Sequence, residues 1–194
     1  MSNKKIVVIL GSPRKKGNSA SLAESLIKGA EAGENGAEIQ TFFLQGMDIK
    51  PCNACDKCLK PDSGCVIDDD MQKIYPAVRA ADSIVIASPI YWFTINAQVK
   101  LFIDRCYALI TLDKNSKESH AFAGKNFGII LTYGDSDPVK SGAVNALRMY
   151  QDMLRYVGAK ISGTIYGTAG GPGKIKSNQD LMEKAYRLGK KLSK

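Results

Sequence analysis

Three features of the sequence predict a three-layer α/β domain with a five-stranded parallel sheet of order 2-1-3-4-5. Five strand-like runs read as buried parallel strands, an amphipathic helical segment follows each in turn, and 194 residues suit one such unit. In sheets of this kind ligands bind beyond the carboxyl ends of the strands, where the strand order reverses.

KKIVVIL (4–10) is a continuous apolar run ending at Gly11, the pattern of a strand buried on both faces. A helix follows from Asn18 or Ser19, either a good N-cap, with Ala23, Leu26, Ile27 and Ala30 at three- and four-residue spacing and GENG (33–36) as its stop. AEIQTFFL (37–44) is the second strand. A cysteine-rich loop is then inserted before the next helix. DDDMQKIYPAVRAA (68–81) puts Asp at a helix start, where the dipole favours it, and Met71, Ile74, Val78 and Ala81 on one face. Pro76 predicts a kink or a division into two pieces. DSIVIASP (82–89) is the third strand, and the helix from Asn96 gathers Val99, Phe102, Ile103 and Cys106 on one side, which makes Cys106 a small core residue. KNFGIILTYG (125–134) is the fourth strand, followed by a helix marked by Leu147, Tyr150, Leu154 and Val157 and closed by Gly158. AKISGTIYG (159–167) is the fifth. After the glycine-rich TAGGPG, Ser177 caps a last helix that buries Leu181, Ala185, Leu188 and Leu192.

With 44% apolar residues the chain can fill one sizeable core, and residues 1–194 read as a single domain. The apolar run after the N-terminal lysines is too short and too soon interrupted for a signal peptide, and no stretch approaches a membrane span, so a cytoplasmic, non-membrane protein is expected. In a reducing compartment five cysteines, an odd number, point to metal binding or redox work ahead of structural disulfides. The net charge of +8 is scattered along amphipathic segments without a basic run interleaved with aromatics, which argues against nucleic acid. It suits a solvated basic surface, an acidic redox partner or a phosphate-bearing cofactor. His120, in the polar segment DKNSKESHAF (113–122), reads as a surface residue.

Three loops meet at the predicted crevice: 11–19, 88–96 and 132–138. GSPRKKGNS joins a strand to a helix, where backbone N–H groups and the helix dipole form an anion site. It is neither a P-loop, since Asn18 stands where that motif needs Lys, nor GxGxxG. Ser12, Asn18 and Ser19 offer hydroxyl or amide donors, Arg14 a charged fork, and no magnesium ligand follows. That composition suits a phosphomonoester held without cleavage, as in FMN, while an ordinary capped turn is the plain alternative. SPIYWFTIN exposes Tyr91, Trp92 and Phe93 at a strand end, where aromatics can wall a flat ring. A buried aromatic plug or a dimer contact is the alternative there. TYGDSD adds Thr132, Tyr133, Gly134 and Asp135, with Gly134 allowing close approach to a ligand.

GSPRKKGNS, SPIYWFTINAQVKLFIDR and LTYGD together resemble the NAD(P)H-dependent FMN reductase group of flavodoxin-like proteins. The cysteine stretch followed by VIDDDM is similar to the iron-sulfur flavoprotein branch of that group. The resemblance spans nearly the whole chain. It implies that Ser12, Arg14, Asn18 and Ser19 hold the FMN phosphate. Pro89, Ile90, Tyr91, Trp92 and Phe93, with Thr132, Tyr133, Gly134 and Asp135, would flank the isoalloxazine. It also implies a homodimer or homotetramer.

In PCNACDKCLKPDSGC (51–65), Cys52, Cys55 and Cys58 follow at two-residue gaps, so their sulfurs can turn inward along one turn of loop, and Cys65 returns after Pro61 and Gly64 to close the set. Four thiolates at one point suit a metal centre. Structural zinc sites usually pair two Cys-x2-Cys units over a longer gap, and redox thiols, a disulfide or an empty loop stay open. Bacterial ferredoxins share the opening spacing. The resemblance implies that all four cysteines serve one 4Fe-4S cluster. Its electrons would come from a ferredoxin-like donor or NAD(P)H and leave, through FMN, to a small-molecule acceptor. An NAD(P)H-dependent reductase of quinones, nitro compounds or free flavin without a cluster is the second reading, and a thiol or metal sensor the third.

Overall fold

Each apolar run becomes a strand and each amphipathic segment a helix. The computed structural model describes residues 3–33, 36–60, 63–112 and 118–194. Parts of GENG, of the cysteine stretch including Pro61, of DKNSKESHAF and of the N-terminus therefore lie outside the described residues. In chain order the elements are β1 (Lys4–Leu10), α1 (Asn18–Glu31), β2 (Ala37–Phe43), α2 (Met71–Ala80), β3 (Ser83–Tyr91), β4 (Thr94–Ile95), α3 (Ala97–Arg105), β5 (Ile110–Leu112), β6 (Glu118–His120), β7 (Asn126–Tyr133), α4 (Ala143–Tyr156), β8 (Lys160–Thr168) and α5 (Gln179–Leu192).

The sheet runs β2-β1-β3-β7-β8, all parallel, which is the predicted order 2-1-3-4-5 of a flavodoxin-like fold. Register sets Ile6 of β1 between Ile39 of β2 and Ser83 of β3, and Ser83 opposite Asn126 of β7. Side chains alternate across a strand, so the central runs feed two cores. Val7, Ile9, Ile84, Ile86, Ile129 and Leu131 pack against α2, α3 and α4. Ile6, Val8, Val85, Ala87 and Ile130 face α1 and α5 on the other side.

Only β1, β3 and β7 are buried on both faces. β2 and β8 carry the half-exposed pattern of edge strands, which corrects the expectation of five doubly buried strands. Pro76 does not divide α2. It lies on the solvent face, where water can satisfy the carbonyl left without its donor. The cap of α5 is Asn178, whose side chain accepts from Leu181 N, and Ser177 sits one residue earlier in a 3-10 turn with its hydroxyl donated to Lys174 O. His120 is half-buried in β6: Nδ1 accepts from Phe122 N, Nε2 meets Cys106 O, and the ring packs 4.6 Å from that of Phe122. Cys106 is buried in the core, as its helical position predicts, and burial pushes its thiol pKa well up.

Helices α1 and α5 meet backbone to backbone. A Cβ on Gly29 would lie 1.9 Å from Tyr186 O, and one on Gly189 1.9 Å from Leu26 O, so each helix gives up a side chain to let the other approach. No helix among the described residues is long and apolar enough to cross a membrane.

Candidate functional site

From adjacent β1 and β3 the chain leaves toward opposite layers, to α1 and to α3, and a crevice opens between the two departures. Its volume is about 300 Å³, and its walls are Ser12, Arg14, Gly17, Asn18 and Ser19 from the first loop, Pro89, Ile90 and Tyr91 from the second, Thr132, Tyr133 and Gly134 from the third, and Gly170, Gly171 and Pro172 from the segment after β8.

The first loop is tightly folded. Ser12 Oγ accepts from Arg14 N at 3.1 Å, and Gly17 N donates to Arg14 O at 2.9 Å. Gly17, not Asn18 or Ser19, is the N-cap of α1, and the first intrahelical bond runs from Ser21 N to Gly17 O. The N–H groups of Asn18, Ser19 and Ala20 precede that bond, and no acid occupies the first turn. The arrangement offers an anion several backbone donors and the positive end of a dipole, with exposed Arg14 at the lip.

Asn18 has a different task from the one its type predicts. Its Nδ2 donates to Gly171 O at 3.0 Å and its Oδ1 accepts from Ile175 N at 3.2 Å. The side chain is spent tying the segment 170–175 to the first loop, which leaves its backbone N–H for a ligand. Sequence reasoning missed Gly170–Pro172 as a wall, although the glycine-rich TAGGPG after a parallel strand was the available signal. A second amide ties the second loop to the first: buried Asn96, the N-cap of α3, donates from Nδ2 to Gly11 O.

Trp92 and Phe93 stand beside the cleft, outside its walls. They form the tip between β3 and β4, both with left-handed φ of 44° and 65°, and are 91% and 55% exposed. Such backbone is uncommon for bulky residues, because hairpin turns of this hand favour Asn and Gly. It is pinned by α4: Asn145 Nδ2 donates to Phe93 O at 3.1 Å, and Gly142, at φ 78°, approaches so closely that a Cβ there would lie 2.3 Å from Phe93 Cα. Asp135 is likewise outside the wall and accepts from Asp137 N and Ser136 Oγ.

The four loop cysteines are free thiols lining one small hollow with Arg105, Tyr107 and Ala108. Cys52 and Cys55 are exposed; Cys58 and Cys65 are half-buried. Ala54 and Asp56, both at left-handed φ, turn the chain between them into a 3-10 turn at Lys57–Leu59. Burial and the neighbouring sulfurs push the Cys58 thiol up. Burial acts the same way on Cys65, but hydrogen bonds from Ile67 N–H, Tyr75 and the Arg105 guanidinium outweigh it and hold that thiol below its usual range. The expected convergence on one point is not found. Among the described residues no three His, Cys, Asp or Glu side chains come together as a single metal ion requires.

Residues 4–171 match the family of NADPH-dependent FMN reductases. The chain belongs to that family. Within it the chain falls in the iron-sulfur flavoprotein branch. An iron-sulfur flavoprotein of Methanosarcina thermophila is 36% identical over 82% of this chain and 77% of its own length. Another, from Methanocaldococcus jannaschii, is 29% identical over 97% of this chain and 95% of its own. Further iron-sulfur flavoproteins match over about half of their own length. Among solved structures, an NAD(P)H:quinone oxidoreductase of Methanothermobacter marburgensis superposes with a TM-score of 0.70 at 16% identity, covering 98% of this chain and all of that one, a likeness of fold. This member of the FMN reductase family is an FMN-dependent oxidoreductase, and NAD(P)H is the donor the family uses.

Proposed function

We propose that this chain is an electron-transfer flavoprotein holding FMN in the four-walled cleft and a 4Fe-4S cluster on the cysteine loop. The observation that carries the proposal is the presence in one chain of a helix-N-terminal anion cleft and a hollow lined by four free thiols. The cleft suits FMN: the phosphate would meet the N–H groups of Asn18, Ser19 and Ala20, with Ser12 and Arg14, and the ring would lie between Pro89–Tyr91 and Thr132–Gly134. Trp92, Phe93 and Asp135 act at the rim. The donor set suits a cluster, whose thiolates stand farther apart than those around one ion, and buried Arg105 donates to one of them. FMN, when bound, supplies hydride or single-electron chemistry, and a cluster passes one electron at a time. The chain's own residues bind, orient and exclude water. None is needed as a general acid or base. A ferredoxin-like protein or NAD(P)H delivers electrons, a small molecule accepts them, and the protein works as a homodimer or homotetramer in the cytoplasm.

Anaerobic purification followed by iron, acid-labile sulfide and flavin analysis tests this. The expected result is iron and sulfide in the ratio of one four-iron cluster per FMN. A folded, yellow protein without iron would leave the second reading, an NAD(P)H-dependent reductase of quinones, nitro compounds or free flavin. Rapid bleaching of the flavin by NADPH without a mediator would then be expected.

The cleft assignment has its own test. Asn18→Leu removes two hydrogen bonds, each worth about 1 kcal/mol net, and frees the segment 170–175. FMN affinity is expected to fall about tenfold or more, read by flavin fluorescence titration, with the circular dichroism spectrum unchanged. Unaltered affinity would remove this segment from the site.

A further inference from the structure

The cysteine loop is closed at its base by one buried ion pair that flavin chemistry does not use. Arg105, the last residue of α3, is 1% exposed, and the side chain of Asp69 is fully buried. The guanidinium divides its donors among three groups. Nη1 donates to Lys50 O at 2.8 Å and to Asp69 Oδ2, and Nη2 donates to Asp69 Oδ1 at 3.2 Å and to Cys65 Sγ at 3.3 Å. Asp69 in turn accepts from Lys50 N at 2.9 Å and from Met71 N at 3.0 Å. Lys50 is thus gripped at both its carbonyl and its N–H, two residues before Cys52, while the same guanidinium holds the sulfur that ends the cysteine set.

Burying two charges is costly, and apolar residues of similar volume usually serve stability as well or better. The pair therefore asks for a reason beyond holding the fold. Geometry supplies one: a planar fork can bond a carbonyl, a carboxylate and a sulfur in one plane, which a lysine cannot. Partners of this kind orient metal ligands in other proteins.

We infer that Arg105 and Asp69 are positioning residues that hold loop 50–65 ready for ligation before any metal arrives, with the Nη2–H bond to Cys65 retained once a cluster is bound. The inference rests on the reading of the four cysteines as cluster ligands. Asp69 belongs to the VIDDDM stretch, whose acids read from sequence only as a helix start.

Two variants of the full chain test it. The double variant Arg105→Met, Asp69→Asn removes both charges together, so no lone charge is left buried, and Arg105→Lys keeps the charge but loses the fork. In cluster-free, FMN-loaded protein, hydrogen exchange at the amides of Lys50 and Met71 is expected to quicken at least tenfold in both variants, with β3, β7 and flavin content unchanged. On anaerobic reconstitution with ferrous iron and sulfide, both should bind iron about ten- to a hundredfold more weakly than the wild-type chain. Any cluster formed in the double variant should have a more negative midpoint potential, because a hydrogen bond to sulfur is gone. Unchanged exchange at Lys50 and Met71, or wild-type iron loading in Arg105→Lys, would overturn the assignment. If the wild-type chain takes up no iron, the cluster reading fails by itself, and the exchange measurement still decides whether the pair positions the loop.

Discussion

Gly11→Val is expected to yield a chain that purifies without FMN and is less stable by about 1–3 kcal/mol. Gly11 follows β1 and precedes Ser12 of the cleft wall. Its N–H donates to Ala87 O at 2.8 Å, and its carbonyl receives the Asn96 amide. A Cβ there would lie 2.1 Å from Val99 Cγ2, 3.2 Å from Ser88 Cβ and 3.3 Å from Asn96 Oδ1. Val99 is β-branched and restricted at χ1, so the clash cannot be absorbed by a small rotation. Relief has to come from moving the first loop or the start of α3. Either movement breaks the Asn96 link and alters the spacing between two walls of the cleft. Flavin content after purification and urea midpoints measure the two effects.

Gly189→Ala is expected to cost about 3 kcal/mol or more, at the upper end of what overpacking usually does. The added methyl would stand 1.9 Å from Leu26 O, 2.8 Å from Ala30 N and 2.9 Å from the Leu26 carbonyl carbon, all of them main-chain atoms inside α1. No rotamer can relieve that contact; the two helices must separate. Because α1 begins at the cleft, FMN affinity should fall along with stability. Gly29→Ala should behave alike from the other helix, where the obstacle is Tyr186 O. The double variant should cost less than the sum, since the first methyl already opens the crossing. Urea denaturation with an unchanged slope is the measurement, and a midpoint near that of the wild-type chain would refute the packing argument.

How much of this was legible in the sequence depended on whether the signal was local. IVVI in β1, IVIA in β3 and GIIL in β7 show unbroken apolar runs because strands inside a parallel sheet are covered on both faces. The order of the sheet followed from their alternation with helices. The hairpin β3–β4 was not legible: its tip is Trp92–Phe93, with neither the Asn nor the Gly such a turn normally needs, and its geometry is imposed by α4 through Gly142 and Asn145. Three walls of the cleft could be found because each directly follows a central strand. The fourth, Gly170–Pro172, follows an edge strand and is brought in by Asn18, 153 residues from Gly171 in sequence. Arg105 and Asp69 lie 36 residues apart, and no periodicity of α2 or α3 marks either as a buried partner. The mid-helix glycines 29 and 189 did carry a sequence signal, since glycine inside a helix needs a packing reason.

Trp92 is the chain's single tryptophan, already 91% in solvent, and it adjoins Tyr91 in the cleft wall. Its fluorescence is therefore a reporter with one address. Denaturation barely changes the ring's surroundings, so the emission maximum should hold nearly still while the protein unfolds. An absorbing flavin in the neighbouring cleft should quench the band strongly. Emission follows ligand occupancy, and circular dichroism is left to follow the fold.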